Sequence, residues 1–234
     1  MTTFHRSSNC HNCDDCNIKS PFFKKLSEEE IKIINENRFE ITFREGENII
    51  KQGTASSHMV MLTSGMAKMY IEGIDNRYLI LELVKPWNLI GGPGIYVDNR
   101  YHYSVTALEN CTACFIETAN LKKVVRQNPD FAEIMLSHCS FNGSKNFERL
   151  VSIVQKQMHG RIADVLIYLM REVYGGPSFE LSISRQDIGD LSGLSKDSAI
   201  RILKEFETEG IIRIEGRKIN IQKEEMLQMI SSKG

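Results

Sequence analysis

Two groups of side chains in this sequence have the types and spacing to do chemistry. Cys10, Cys13 and Cys16 stand three residues apart, and Cys111 and Cys114 form a second Cys-x-x-Cys. Three thiolates in one short loop fit three corners of an iron–sulfur cubane such as [4Fe-4S], with the fourth ligand coming from elsewhere. The same thiols allow two other chemistries. Cys10/Cys13 with Cys111/Cys114 make a tetrahedral zinc site with Cys16 left over, and neighbouring thiols support a thiol–disulfide switch. Cys139 lies in a helical stretch and reads as an inert buried thiol. His58, His102, His138 and His159 are scattered, so haem is the weaker option.

The second group is Lys196, Asp197, Ile200, Arg201 and Lys204, which helical spacing brings to one side of a helix. In a major groove an arginine donates two bonds to guanine O6 and N7. An acid accepts from a cytosine amino group, and an isoleucine meets a thymine methyl. On a merely solvated helix, Asp197 and Arg201 would instead form an i,i+4 ion pair.

The flanking sequence decides between these. Ser184-x-x-Asp187 starts a helix with Ile188 and Leu191 on its apolar face. Ser192-Gly193 end it, Leu194 plugs the turn, and Ser195 caps a second helix. Ala199, Ile202, Leu203 and Phe206 recur there at i, i+3, i+4 and i+7. Two short helices around a glycine turn describe a helix-turn-helix. An isoleucine-rich hairpin follows, from Gly210 to Ile221. The predicted DNA-binding set is Arg185, Ser195, Lys196, Asp197, Ile200, Arg201, Lys204, Arg217 and Lys218, with the last two on backbone phosphates.

Upstream, Ser27-x-x-Glu30 opens a short helix with Ile31 and Ile34 inward. Short β-type runs then alternate with glycine turns over Phe39–Phe43, Ile49–Lys51, Met59–Leu62, Ala67–Ile71, Tyr78–Leu83, Ser104–Ala107 and Ala113–Ile116. This spacing predicts a sandwich or jelly roll. After a helical turn at Leu121–Val125, residues 131–157 carry helical spacing with Ile134, Met135, His138, Phe141, Leu150, Val151 and Val154, and Gly143 predicts a kink. An amphipathic helix follows over Arg161–Val173.

The stretch Ile183–Gly189, together with Gly193–Ser198, Arg201–Phe206 and the hairpin, closely resembles the winged helix-turn-helix of the Crp/Fnr family of bacterial transcription regulators. Arg44–Gly53, followed by Leu62-Thr-Ser-Gly65, resembles that family's cyclic-nucleotide-type β-roll. The resemblance implies an α+β chain: an N-terminal β-roll (jelly roll), a long dimerisation helix and a C-terminal winged helix-turn-helix. It divides as a cysteine-bearing loop 1–20, a β-roll 21–128, a dimerisation helix 129–157 and a DNA-binding domain 158–234. It implies a homodimer on double-stranded operator DNA, with RNA polymerase as a further partner. The family usually has glutamate at the position of Asp197 and arginine at that of Arg201.

Within that family, cyclic-AMP binders carry Gly-Glu-Leu followed by Arg-Ser or Arg-Thr. Here Gly91-Gly92-Pro93-Gly94 has no acid, and Tyr101–Ser104 stands in place of the Arg-Ser pair, with Arg100 two positions off. Cyclic AMP is disfavoured because no placed arginine clamps its phosphate. The oxygen-sensing branch instead holds a [4Fe-4S] cluster, and its fourth ligand falls at Cys114. Cys10, Cys13, Cys16 and Cys114 are thus the implied cluster ligands, with Cys111 as the alternative fourth. That branch spaces its first three cysteines x2 then x5, whereas this loop is x2 then x2. Zinc, thiol redox and a small-molecule effector therefore remain open.

Composition bounds the rest. The chain has 234 residues, 41% hydrophobic and 25% charged, with net charge −1, as expected of a soluble globular protein whose cationic surface must be local. No apolar run reaches the ~20 residues of a membrane span, and no signal-peptide core precedes residue 20. A cytoplasmic protein is expected. An iron–sulfur electron carrier would have no need of a base-reading helix. An enzyme is not expected, since no nucleophile–base–orienter set or phosphate-cradling glycine loop occurs.

Overall fold

The computed structural model describes residues 21–234, so Cys10, Cys13 and Cys16 lie outside the described residues. Eleven strands and eight α-helices occur among these residues. Helix α1 (Glu28–Asn35) comes first, followed by β1 (Phe39–Phe43), β2 (Asn48–Ile50), β3 (His58–Ser64), β4 (Ala67–Glu72), β5 (Tyr78–Val84) and β6 (Leu89–Ile90). Next are α2 (Gly94–Val97), β7 (Ser104–Ala107), β8 (Cys111–Glu117), α3 (Thr118–Gln127) and α4 (Pro129–Gln155). The C-terminal part holds α5 (Met158–Tyr168), β9 (Ser178–Glu180), α6 (Arg185–Ser192), α7 (Lys196–Thr208), β10 (Ile212–Glu215), β11 (Lys218–Ile221) and α8 (Glu224–Lys233).

The chain divides into two compact units. One runs up to Ile71 and continues over Leu83–Ser144; the other joins Glu72–Glu82 to Lys145–Gly234. In the first unit, strands ordered β1-β8-β3-β6 form one antiparallel sheet and β2-β7-β4 a second. Alternating side chains give the first sheet two apolar faces. Ile50, Val60, Leu62, Ile90, Val105, Cys111 and Ala113 fill one core. Met59, Met61, Cys114 and Ile116 meet Ile31 and Ile34 of α1, Leu121 and Val124 of α3, and Phe131 and Met135 of α4 in another. A Ser27/Glu30 capping box starts α1, as the sequence predicts.

Helix α4 runs from Pro129 to Gln155, so Gly143, where the sequence predicts a kink, does not end it. A Cβ at Gly143 would meet nothing within 4 Å, and the local cost of one glycine is only about 1 kcal/mol. Phe141, Leu150, Val151 and Val154 of the expected dimerisation helix are exposed, as are Leu136 and Phe147. The helix expected over Arg161–Val173 starts earlier, at Met158, and closes with a π-helical turn at Leu169–Val173.

In the second unit α5, α6 and α7 pack through Ile162, Leu166, Ile188, Leu191, Ile202, Leu203 and Phe206, all buried. The β10–β11 hairpin pairs with β9 as a three-stranded sheet. Arg149 of α4 donates to the carbonyls of Leu81 at 2.9 Å and Leu191 at 2.5 Å. Burial lowers its pKa to about 10.

Candidate nucleic-acid interface and cysteine centre

The helix-turn-helix forms as its residues dictate. Ser184 and Asp187 make a capping box at the start of α6. Gly193 ends that helix at φ 65°, a left-handed position that suits glycine. Inside α6, a Cβ at Gly189 would stand 2.8 Å from the Leu194 carbonyl oxygen, so the turn closes only over a glycine. Ser195 then caps α7 by accepting from the Ser198 N–H at 3.2 Å. Ala199, Ile202, Leu203 and Phe206 face inward.

This geometry leaves Ser195, Lys196, Asp197, Arg201 and Lys204 exposed, with Ile200 half-buried among them. One face of α7 therefore offers cations, an acid and a methyl-bearing side chain to a groove. Arg201 pairs with Glu205 rather than with Asp197: Nη1 donates to Oε1 at 2.7 Å. The other Glu205 oxygen lies 2.7 Å from His159 Nε2. These contacts, His159 first, hold the Glu205 carboxyl below the ordinary carboxylate range. Sequence patterning missed Glu205, which stands one turn beyond the predicted set on the same side as Arg201. In the free protein this carboxylate holds the Arg201 guanidinium. Glu205→Gln is expected to tighten operator binding, by at most about fivefold, since exposed ion pairs contribute only about 0–1 kcal/mol. Fluorescence anisotropy with a labelled operator measures this, and weaker binding would assign Glu205 a positive role on DNA.

The remaining cations are placed differently. Arg185 is half-buried and donates to the Gly216 carbonyl at 3.2 Å, and burial lowers its pKa. It fastens the hairpin turn to α6 instead of standing free in solvent. Arg217 is exposed but its Nε donates to the Leu181 carbonyl at 2.8 Å, while Lys218 is exposed at the start of β11.

Cys111 and Cys114 sit on opposite faces of β8. Cys111 is in the core between the two sheets, where its Sγ donates to the Met66 carbonyl at 3.1 Å and burial raises its pKa. Cys114 is in the core against α1, α3 and α4, with Arg38 Nη1 3.2 Å from its Sγ. Residues three apart on a strand diverge, so the two thiols do not chelate one ion as the Cys-x-x-Cys reading of zinc requires. Among the described residues no group of three or more His, Cys, Asp or Glu is placed to hold a metal. Cys139, expected buried, is exposed.

At the turn where a nucleotide phosphate would be held, the Tyr103 ring occupies the space a Cβ on Gly92 would need, and Arg100 donates to the Gly53 carbonyl at 2.9 Å. A separate cavity of about 470 Å³ is lined by Phe39, Ile41, Ile50, His58, Tyr101 and Phe115, among others.

Comparison with known proteins agrees with this geometry. The model of a Crp-like helix-turn-helix domain matches residues 160–230, and that of a cyclic nucleotide-binding domain matches residues 40–128. The chain belongs to the Crp/Fnr family. It is 21% identical over 227 residues to the transcriptional activator protein FnrL of Cereibacter sphaeroides, covering 93% of this chain and 90% of FnrL. The transcriptional activator protein Anr of Pseudomonas protegens is 23% identical over 224 residues, covering 93% and 90%. In fold, FixK2 from Bradyrhizobium japonicum superposes with a TM-score of 0.77 at 19% identity, covering 84% of this chain and 98% of FixK2. As a Crp/Fnr member the chain is a DNA-binding transcription regulator with a β-sheet domain, a long helix and a helix-turn-helix. No helix among the described residues is long and apolar enough to cross a membrane.

Proposed function

We propose that this protein is a homodimeric, cytoplasmic regulator whose operator affinity follows a [4Fe-4S] cluster held by Cys10, Cys13, Cys16 and Cys114. The observation that carries the sensing half is the Cys114 sulfur. It is buried, and a guanidinium N–H points at it. That surrounding suits an anionic, metal-bound thiolate, whereas Cys111 is arranged as a protonated thiol. When bound, the cluster supplies oxygen-sensitive redox chemistry. Cys114 would tie the cysteine loop to β8, and its core neighbours Phe131 and Met135 begin α4. The cavity of about 470 Å³ favours, as a second reading, a small apolar effector in the same domain. Cyclic AMP fits poorly, since the turn at Gly91–Gly94 offers its ribose no acid.

Arg201, Lys196 and Lys204, exposed on a capped recognition helix, support base reading by α7, with Lys218 and Arg217 on phosphates. The exposed stripe of α4 supports pairing of two subunits: Leu136, Phe147, Leu150 and Val154 recur at helical spacing. Leu150→Glu is expected to convert a dimer to a monomer in analytical ultracentrifugation and to weaken operator binding, while the fold persists. A Leu150→Glu protein that remains dimeric would place the interface elsewhere.

The test of the whole reading is anaerobic purification with iron and sulfide analysis, followed by selection of binding sites from random DNA. A brown protein with iron and sulfide, selecting a two-fold site with half-sites about one helical turn apart, supports it. Colourless protein with stoichiometric zinc supports the alternative metal.

A further inference from the structure

We infer that His159 acts through Glu205 as a positioning residue for Arg201, and that protonating His159 loosens the hold of Glu205 and releases the guanidinium to DNA. This rests on the base-reading role of Arg201 given above and deepens it. His159 stands in the first turn of α5, with its ring against that of Phe206 on α7 at a centroid separation of 6.0 Å. Its Nε2 lies 2.7 Å from Glu205 Oε2, while Glu205 Oε1 accepts from Arg201 Nη1 at 2.7 Å. One carboxylate thus bridges a ring on α5 and the base-reading side chain of α7. Phe206 is 1% exposed, so the imidazole rests on core, whereas the Arg201 side chain is 52% exposed and reaches into solvent.

The two partners of Glu205 compete for its charge. Hydrogen bonding, from His159 first, holds the Glu205 carboxyl below the ordinary carboxylate range, so it stays ionised near neutral pH. Arginine keeps its proton throughout, and histidine is the side chain whose charge changes between about pH 5 and about pH 8. Beside a neutral ring, Glu205 directs its full charge at Arg201. Beside an imidazolium, that charge is matched from the other side. The sign of the linkage follows. When Arg201 moves to a guanine, Glu205 is left facing His159 alone, which favours the protonated ring in the DNA-bound state. Binding therefore takes up a proton, and operator affinity rises as pH falls.

No other histidine lies in residues 145–234. Helix α5 packs on α6, α7 and α8. On α7, Lys204 and Glu209 border the same shallow hollow as Arg201 and Glu205. On α6, Asp187 accepts from Ser184 and Asp190 from Gln186. At α8, Ser231 donates to Asp164 of α5, which also holds Lys156, and the carboxyl of Gly234, next to Lys233, lies beside Gly160. Arg161 donates to the Lys156 carbonyl. Carboxylates, lysines and arginines ordinarily titrate outside the histidine range, so the proton taken up belongs to His159.

The experiment titrates full-length protein, purified without air, by fluorescence anisotropy from about pH 8 to about pH 6 at constant salt. The probes are a duplex obtained by binding-site selection and its scrambled counterpart. Wild type should gain about threefold in affinity for the selected duplex, and at most about fivefold, with far less gain on the scrambled one. His159→Gln keeps a neutral donor for Glu205 and should lose the gain while retaining the affinity seen at the alkaline end. His159→Lys, a cation throughout, should bind at the acid-end level at every pH. Glu205→Gln should also bind tightly without a pH dependence. A gain that survives in Glu205→Gln but not in His159→Gln overturns the relay, because the imidazolium would then act on DNA directly. No gain in wild type, or a full gain in His159→Gln, overturns it as well. In each of these cases Arg201→Ala reports on the base-reading role separately: lost sequence preference leaves that role standing. Retained preference in Arg201→Ala overturns the role, and the inference falls with it.

Discussion

Arg201→Ala is expected to abolish sequence-specific operator binding while the fold and the dimer persist. Arg201 lies on the exposed face of α7, and the core beneath it is Ala199, Ile202, Leu203 and Phe206. Truncating it breaks one exposed ion pair with Glu205, which costs little stability. On DNA the loss is larger. A bidentate guanine contact contributes about 1–3 kcal/mol, and a two-fold dimer makes it twice. The expected drop is therefore at least roughly 30-fold. Non-specific affinity, carried by phosphates, should fall far less. Anisotropy titrations with operator and scrambled duplexes measure both. Unchanged sequence preference in the Arg201→Ala protein would mean that another side chain reads the base.

Cys114→Ser, made without air, is expected to lose iron and operator binding together. Serine keeps the volume and removes the thiolate, so the core around Met61 and Phe131 should survive. The loss would propagate because Cys114 and the start of α4 share that core. A switch of this kind needs only a few kcal/mol of bias on the dimer, within reach of one cross-linking cofactor. Cys111→Ser and Cys139→Ser are the controls. A serine at position 111 can still donate to the Met66 carbonyl, and Cys139 is exposed. Both controls should keep iron and DNA binding. If Cys111→Ser loses iron and Cys114→Ser does not, the fourth ligand has been misassigned.

How much of this was legible depended on how local the determining physics is. The capping serines, the glycine of the turn and the i, i+3, i+4, i+7 stripe of α7 are all short-range signals, and each formed as expected. So did β1 and β7, whose ends match their sequence runs. The β6 strand at Leu89–Ile90 was not legible, because two residues carry no periodicity and exist through pairing with β3. The stripe of Phe141, Leu150, Val151 and Val154 was legible as apolar, but its exposure was not. Periodicity marks an apolar stripe but does not say whether the same chain or a second copy covers it. Arg149, Glu205 and Arg38 were missed because their partners lie far away in sequence or belong to no motif. Cys111 and Cys114 look like a chelating pair on paper, yet a strand sends residues three apart to opposite faces.

The central claim is that DNA binding follows a cysteine-held cluster. The direct measurement is operator affinity of one anaerobic sample, titrated before and after exposure to air, with iron and sulfide assayed on the same protein. The prediction is tight, sequence-specific binding while iron and sulfide are present, and loss of that binding in step with loss of the cluster. Operator affinity that is unchanged by air, or unchanged when iron and sulfide are gone, would contradict it.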